Sequence, residues 1–333
     1  MRIGLVARVD NSGLGMLSWE FYTNLREYIQ KVVVVDNGVF RCFPERFGEP
    51  EMKTQAGLGV AFWESFLKDI DILLAIETPY SWSGFWMAKR LGIKTVLIPM
   101  FECNDKPLDC YPDLIACPAT MDYESFSGEP SRLEVIQLPV NRDRVKFKLR
   151  KKAITFLHNS GHGGFHGRTG TAQFLEAIPM VKNRNVRFLI NSQTPFEYSR
   201  DERLQVRIGN IRNYWDLWKE GDVFVLPGRF EMISMPVQEA LSSGMPVLTT
   251  DFLPFKGWLP DNWLIKYKDG ARCKLHQREV LYVDIDPKTI AQKIDEWAEK
   301  DITEESKYAD KLAEDISWKK LKPQWVKLFE SVL

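Results

Sequence analysis

The stretch VFVLPGRFEMISMPVQEALSSGMPVLTTD, residues 223–251, decides the fold of this chain. It predicts a strand from Asp222 to Leu226, a loop, a helix beginning near Ser234, and a second strand from Pro246 to Thr250. Serine is a favoured N-cap residue, and Pro236 suits the first turn of a helix. Both strands are continuous apolar runs, a pattern typical of strands covered on both faces in a parallel sheet.

Two carboxylates stand out in this stretch, Glu231 in the loop and Glu239 inside the predicted helix. Their Glu-x7-Glu spacing resembles the donor-site signature of retaining GT-B glycosyltransferases, whose loop reads roughly E-G-F-G-L-P-x-x-E-A-L-A-x-G-x-P-V-V-A-T-D. The positions that match this signature are Glu231, Pro236, Glu239, Ala240, Leu241, Gly244, Pro246, Val247, Thr250 and Asp251. The family's Gly-Phe-Gly is replaced here by Met232, Ile233 and Ser234.

The resemblance implies an α/β protein with the GT-B fold, two facing Rossmann-like domains with a cleft between them and a C-terminal crossover helix. Residues 1–145 would form the acceptor domain, completed by a helix at 317–333, and residues 150–316 the nucleotide-sugar donor domain. The implied activity is transfer of a hexose, with glucose favoured, from a UDP-sugar to a hydroxyl group with retention at the anomeric carbon. No metal cofactor is implied.

The same resemblance assigns roles to individual residues. Glu231 would orient the hexose, Glu239 would hold the ribose, and Arg168 would neutralise the diphosphate together with the N-terminus of the helix. Glu102 could assist as a base. The predicted catalytic residues are therefore Glu231, Arg168 and Glu102, and the predicted donor-binding residues are Gly13, Gly15, Gly163, Gly164, Asn210, Ile211, Arg212, Met232, Ile233, Ser234 and Glu239.

Composition excludes several classes of protein. Among 333 residues, 45 are basic and 45 acidic, so no global field favours nucleic acid or an acidic membrane. Five cysteines without C-x-x-C spacing indicate free thiols in a reducing compartment. No apolar run nears transmembrane length, and the expected location is cytoplasmic, without a membrane partner. The histidines at 158, 162 and 166 are interspersed with glycines, which disfavours a helical metal site.

The first half of the chain predicts a nucleotide-type unit. A strand from Arg2 to Val9 leads into a glycine loop at 10–15 and a helix from Met16 to Gln30, although the G-x-x-G-x-G dinucleotide spacing is missing. A dinucleotide-dependent oxidoreductase is therefore a disfavoured alternative. Strands at 70–76 and 94–99 are followed by acidic residues that we expect at the acceptor side of the cleft, namely Glu77, Glu102 and Asp105.

Residues 141–152, NRDRVKFKLRKK, join the two halves and carry seven basic residues and one acid. Cationic and apolar residues alternate, which predicts an extended strand with one face of each kind. A linker whose lysines protect a sheet edge is the favoured interpretation. The alternative is a phosphate-binding stripe on the acceptor side that includes Arg144, Lys146 and Lys148.

The acceptor is the least constrained prediction. The compact size, the corner at 99–102 and the basic stretch resemble small virus-type enzymes that glucosylate hydroxymethylated DNA bases. A 5-hydroxymethylated base in DNA is therefore the first candidate, with a glycan or small molecule close behind. A nucleotide-sugar-binding protein without transfer activity is a further alternative, and GDP or ADP could replace UDP in the donor. The sequence carries no signal for an oligomeric state.

Overall fold

The chain folds into two compact units. Residues 1–138, 274–279 and 319–333 form the first unit, and residues 139–273 and 280–318 form the second. This computed structural model describes residues 1–36, 38, 41–162, 167–231, 233–275 and 278–333, apart from the side chains of Glu102 and Leu275. No helix within these ranges is both long enough and apolar enough to span a membrane.

Apolar runs rich in valine, isoleucine and leucine form the sheet of the first unit. Within the described residues this sheet has seven strands in the order β3-β2-β1-β4-β5-β6-β7, and neighbouring strands are parallel. Its elements are β1 (Ile3–Ala7), α1 (Gly13–Asn24), β2 (Ile29–Asp36), β3 (Glu51–Thr54), α2 (Val60–Phe66), β4 (Ile72–Glu77), α3 (Ser83–Arg90), β5 (Lys94–Pro99), β6 (Leu114–Cys117), α4 (Thr120–Phe126) and β7 (Arg132–Val135).

The second unit repeats this plan. Its described residues form a six-stranded parallel sheet in the order β10-β9-β8-β11-β12-β13. Strands β14 and β15 form a separate two-stranded sheet, of which residues 274–279 belong to the first unit. The elements in this part of the chain are β8 (Thr155–Gly161), α5 (Thr171–Ala177), β9 (Arg187–Ser192), β10 (Leu204–Ile208), β11 (Val223–Leu226), α6 (Met235–Ser242), β12 (Val247–Thr250), β13 (Leu264–Ile265), β14 (Asp269–Leu275), β15 (Arg278–Asp284), α7 (Pro287–Trp297) and α8 (Thr303–Asp315). Numbered within each unit, both sheets contain the 3-2-1-4-5-6 order of Rossmann-type domains, which confirms the predicted fold class.

The last helix, α9 (Trp318–Glu330), packs on the first unit through its aromatic face. Trp325 is fully buried and meets the ring of Phe21 edge to face, with the ring centroids 4.9 Å apart. Its indole N–H donates to the carbonyl of Gln137 at 3.0 Å. The aromatic residues of α9 are therefore core residues, as their helical spacing predicts.

The first helix differs from its predicted position. It begins at Gly13 rather than Met16, because the hydroxyl of Ser12 caps the N–H of Gly15 at 3.2 Å. A Cβ at residue 15 would lie 2.2 Å from the carbonyl oxygen of Asp10, so only glycine fits at this close approach. The helix ends at Asn24 rather than Gln30, since strand β2 already starts at Ile29.

The extended strand predicted at 141–152 is wrong. Residues 142–144 form a turn, and 145–151 belong to no strand. Arg150 is buried, with its guanidinium donating to the carbonyl of Trp218 at 2.7 Å. Arg142 pairs with Asp310 and Glu314 of helix α8. Arg142 and Arg150 thus pair with groups that are distant in the sequence, and the cations of this stretch do not form one face.

A buried arginine stabilises the first unit. Arg278, at the start of β15, donates to the carbonyls of Asn104 and Asp105, both at 2.7 Å, and its guanidinium carbon lies 4.0 Å from the ring centroid of Phe126. It also pairs with Glu129 at 3.1 Å, and its side chain is 0% exposed. A guanidinium can satisfy this many acceptors because its donors are held in a fixed fork.

We expect Arg278→Ala to reduce the free energy of unfolding of the first unit by about 3–5 kcal/mol, because Glu129 then stays buried without its cation. The matched control is Arg132→Ala, which breaks an ion pair with Glu134. The side chains of Arg132 and Glu134 are 43% and 44% exposed. That change should cost about 0–1 kcal/mol. Urea unfolding measures both variants, and equal losses in the two would show that the Arg278 pair is unimportant.

Candidate functional site

The order of the strands determines where each unit can bind a ligand. In an open parallel sheet, ligands bind beyond the carboxyl ends of the strands at the point where successive connections diverge. In the second unit this point lies between β8 and β11, which pair in parallel. The segments that follow these strands, 162–170 and 227–234, contain the predicted residues Arg168 and Glu231.

Arg168 and Glu231 meet at this edge of the second unit. The Nη2 atom of Arg168 lies 3.1 Å from Oε2 of Glu231, and the guanidinium carbon lies 4.8 Å from the ring centroid of Phe230. Glu231 is 4% exposed, whereas the side chain of Arg168 is 23% exposed. The carboxylate is therefore held inside the protein, and the cation keeps one side open to a ligand.

A close backbone approach fixes the two segments against each other. The N–H of Arg229 donates to the carbonyl of Arg168 at 2.7 Å. Gly170 has a φ of +70°, and a Cβ there would lie 1.9 Å from the carbonyl oxygen of Pro227. Only glycine permits both this conformation and this approach, so Thr169-Gly170 sets the position of Arg168.

Helix α6 begins at the same edge. Ser234 occupies the predicted N-cap position, but its φ of 49° is left-handed and its side chain makes no capping hydrogen bond, which corrects the expected role of the hydroxyl. Its main-chain carbonyl accepts instead from the N–H groups of Val237 and Gln238. Within the described part of the chain, the buried Oγ of Ser234 has no hydrogen-bond partner. Ile233 beside it is buried.

Glu239 lies inside α6 and is 7% exposed. The hydroxyl of Tyr214 lies 2.7 Å from both of its carboxylate oxygens. Tyr214 is not among the residues predicted from the sequence, because a tyrosine that follows a surface turn belongs to no motif. Its position two residues after the predicted donor-binding segment 210–212 is the one signal in the sequence that points to it.

That segment, Asn210, Ile211 and Arg212, connects β10 to a short 3-10 helix at Tyr214–Leu217. The side-chain oxygen of Asn210 accepts from Nε2 of Gln193 at 3.0 Å. Ile211 is half-buried and Arg212 is exposed. The segment is therefore an accessible surface of the second unit beyond the carboxyl end of β10.

Several predicted residues do not join this group. Gly163, Gly164 and Met232 lie outside the described residues, as does the side chain of Glu102. Of the acceptor-side cations, Lys148 donates to the carbonyl of Lys219 at 3.1 Å, Lys146 is exposed and Arg144 is half-buried.

In the first unit, Gly13 is the first residue of α1, and nothing lies within 4 Å of the place where its Cβ would be. Asp105 has an exposed side chain. Glu77, by contrast, is buried at the carboxyl end of β4, where the strand order of the first sheet also diverges.

Glu77 belongs to a polar cluster that the sequence analysis identified only in part. Its Oε2 accepts from the hydroxyl of Tyr80 at 2.8 Å and lies 3.5 Å from Nη1 of Arg8, which in turn donates to Asp10 at 2.5 Å. Burial raises the pKa of the Glu77 carboxyl and, more strongly, that of the Tyr80 hydroxyl. Glu77 and Tyr80 also have positive φ values of 77° and 59°, and such strain in non-glycine residues concentrates at functional sites.

His158 lies in the middle of β8 and contacts Thr171, three residues after Arg168. Its Nδ1 is 2.8 Å from the carbonyl of Val225 and its Nε2 is 2.8 Å from Oγ1 of Thr171. Thr171 Oγ1 is also 2.9 Å from the hydroxyl of Thr169. Because a carbonyl only accepts, Nδ1 carries the proton of the neutral ring. Burial lowers the pKa of His158 to about 4, so the ring is neutral near pH 7.

Within the described residues, no group of three or more histidine, cysteine, aspartate or glutamate side chains is arranged to hold a metal ion.

Part of the second unit is similar to a known protein family. Residues 161–299 match the family model described as "Glycosyl transferases group 1". A sequence search of curated proteins finds no match.

Solved structures resemble the chain over its whole length. A lipopolysaccharide outer core galactosyltransferase, WaaB in its apo form, matches with a TM-score of 0.68 and 14% identity, covering 100% of both chains. HepE from Anabaena in complex with UDP and glucose has a TM-score of 0.73 at 11% identity, covering 99% of this chain and 100% of that one. Sucrose-phosphate synthase from Thermosynechococcus elongatus has a TM-score of 0.67 at 12% identity, covering 100% and 99%. The shared fold of these structures agrees with the GT-B fold class predicted from the sequence.

We expect the stability of the second unit to fall as the pH decreases from about 6.5 to about 4. Above this window His158 is neutral in both states; within it the unfolded chain binds a proton that the folded chain excludes. The expected contribution is about 1.4 kcal/mol of unfolding free energy for each pH unit. Urea unfolding at a series of pH values measures it. His158→Gln should flatten the profile in this window, and the control His162→Gln should keep the His158 contribution. An unchanged profile in His158→Gln would exclude the buried neutral ring as its origin.

Proposed function

We propose that this chain transfers a hexose from a UDP-sugar to a hydroxyl acceptor, with retention of configuration at the anomeric carbon. One observation carries the proposal: a cation, Arg168, and two buried carboxylates, Glu231 and Glu239, accompany helix α6 at the carboxyl edge of the second sheet. A nucleotide sugar has a matching order of groups, with a sugar and a ribose on either side of a doubly charged diphosphate.

The diphosphate would lie against Arg168 and the first turn of α6. Pro236 has no N–H, and the N–H groups of Val237 and Gln238 donate to the carbonyl of Ser234. The donors at this end would therefore be the N–H groups of Ser234 and Met235, which together with the positive end of the helix dipole would attract an anion. The buried, unpartnered Oγ of Ser234 adds a hydroxyl donor at this end. Negative charge on the leaving diphosphate grows in the transition state, so fixed donors at this position lower the barrier.

The two carboxylates would hold the two sugars of the donor. An ionised carboxylate only accepts hydrogen bonds, and the hydroxyls of a hexose and a ribose supply the donors. Glu231 would bind the hexose, because it lies beside the cation that meets the diphosphate. Glu239 would bind the ribose. In the free protein these carboxylates are satisfied by Arg168 and Tyr214, so donor binding exchanges those contacts for contacts with the ligand.

The chemical step needs no protein nucleophile. The bond from the anomeric carbon to the diphosphate oxygen breaks, and the acceptor oxygen forms its bond to the same face of that carbon. The acceptor proton passes to the released diphosphate oxygen, so atoms and charge balance. The choice of uridine and glucose is supported by the resemblance to HepE, which was solved in complex with UDP and glucose.

The acceptor side is proposed in the first unit at Glu77, where the strained, buried cluster with Arg8 and Tyr80 presents polar groups at the carboxyl end of β4. A 5-hydroxymethylated base in DNA remains the first predicted acceptor, and a glycan or small molecule the second. A continuous cationic face no longer supports DNA as the acceptor, because Arg142 and Arg150 have partners within the second unit.

A protein that binds a nucleotide sugar without transferring it is the main alternative, since Met232, Ile233 and Ser234 replace the family's Gly-Phe-Gly. Turnover of the donor separates this alternative from the enzyme. A dinucleotide-dependent oxidoreductase is the other alternative, and calorimetry with NAD in place of UDP tests it.

We expect Glu239→Ala to weaken UDP binding about 10- to 100-fold, because the ribose hydroxyls lose hydrogen bonds to a charged acceptor. Isothermal titration calorimetry measures the dissociation constant. The matched control is Glu220→Ala, which removes an exposed acid of the same unit that pairs with Arg207 and should leave UDP affinity unchanged. An unaltered UDP affinity in Glu239→Ala would refute the donor assignment.

For the reaction, we expect transfer of labelled glucose from UDP-glucose to DNA containing hydroxymethylcytosine and not to ordinary DNA. A glycan panel in the same assay tests the second acceptor class. Arg168→Ala should reduce the rate by about 100-fold or more in whichever reaction is found, because it removes a charge that stabilises the leaving group. Transfer to a glycan alone would assign the acceptor there, and absence of donor turnover with every acceptor and with water would reject the enzyme.

A further inference from the structure

The hydroxyl of Tyr214 contacts the carboxylate of Glu239 at the position proposed for the ribose of the donor. The tyrosine hydroxyl lies 2.7 Å from Oε1 and 2.7 Å from Oε2 of the same carboxylate. An oxygen equidistant from both carboxylate oxygens lies on the plane that bisects them. Tyr214 therefore contacts both oxygens of the carboxylate together.

A vicinal diol that binds a carboxylate with both hydroxyls needs those same two oxygens. Each hydroxyl donates to one oxygen, so the middle of the diol lies on the same bisecting plane. A single tyrosine hydroxyl has one proton to donate, whereas the diol has two. The diol can therefore replace Tyr214 with a gain of one hydrogen bond, and both cannot occupy that position together.

The chain around Tyr214 permits such an exchange. Tyr214 begins a short 3-10 helix that ends at Leu217, and residues 209–213 before it are mostly exposed. Trp218, which follows this 3-10 helix, is 1% exposed and packs against Phe224 with the ring centroids 5.3 Å apart. Its carbonyl accepts a hydrogen bond from Arg150 at 2.7 Å. Tyr214 thus lies between an exposed segment and the buried anchor residue Trp218, and the exchange would need only its own side chain to move.

We propose that Tyr214 occupies the ribose-diol position on Glu239 in the donor-free protein and is displaced by the two ribose hydroxyls. The proposal rests on the assignment of Glu239 to the ribose in the proposed function. Before the donor binds, Tyr214 keeps a buried carboxylate satisfied. It also makes the site select for ribonucleotides, because a ligand that offers fewer than two hydroxyls gains nothing by displacing it.

The test combines a tyrosine variant with a nucleotide analogue. Calorimetry compares the wild-type chain with Tyr214→Phe, using UDP and 2′,3′-dideoxy-UDP as the ligands. Tyr214→Phe should raise the affinity for UDP about tenfold, because Glu239 no longer gives up a hydrogen bond on binding. The affinity for the dideoxy analogue should not change, so the ratio of the two dissociation constants should grow about tenfold.

The matched control is Tyr198→Phe, which alters a tyrosine of the same unit that is 45% exposed and should leave both affinities unchanged. Weaker UDP binding by Tyr214→Phe would mean that the hydroxyl stays in place and positions Glu239, which overturns the exchange. An equal gain for both nucleotides would overturn the diol selectivity. If neither chain binds UDP while the folded state is intact by circular dichroism, the proposed function fails and this inference fails with it.

Discussion

The ion pair between Arg168 and Glu231 is the interaction on which the site of the second unit depends. It joins the segment that follows β8 to the segment that follows β11 at the point where the strand order diverges. Burial of the carboxylate requires a partner for its charge, and the close approach of Gly170 to Pro227 holds the arginine where it can supply one. The same pair keeps a cation at the edge of the sheet, where an anionic ligand can reach it.

Both carboxylates of the predicted donor site have a substitute partner inside the protein. Glu231 has a cation and Glu239 has a phenol hydroxyl, and each partner can be exchanged for a group of the ligand. Such an arrangement reduces the free-energy cost of burying acids in the absence of a ligand. It also weakens ligand binding, because the contacts of the free protein must be broken first. The affinity therefore depends on the difference in free energy between the two sets of hydrogen bonds.

The strands and the fold class could be predicted from the sequence because they depend on local apolar runs. Strand β5 (Lys94–Pro99) has the predicted bounds, and the Glu231–Asp251 stretch forms the predicted loop, helix and strand. The start of α1 was misplaced because Ser12 caps the helix inside the glycine loop. The prediction of a strand at 141–152 was wrong, because alternating cations indicate a strand only where all of them face water. Here Arg142 and Arg150 have partners that are distant in the sequence, and a local sequence pattern does not predict such contacts. Tyr214 was missed for the same reason, since its relation to Glu239 is made by folding.

A crystal structure of the chain with UDP tests the central claim most directly, because it locates each part of the ligand. The account predicts the diphosphate within hydrogen-bond distance of Arg168 and the first turn of α6, with the ribose hydroxyls on the two oxygens of Glu239 and Tyr214 displaced from them. A nucleotide bound elsewhere, or bound with the ribose away from Glu239 and Tyr214 still in contact with it, would contradict the account.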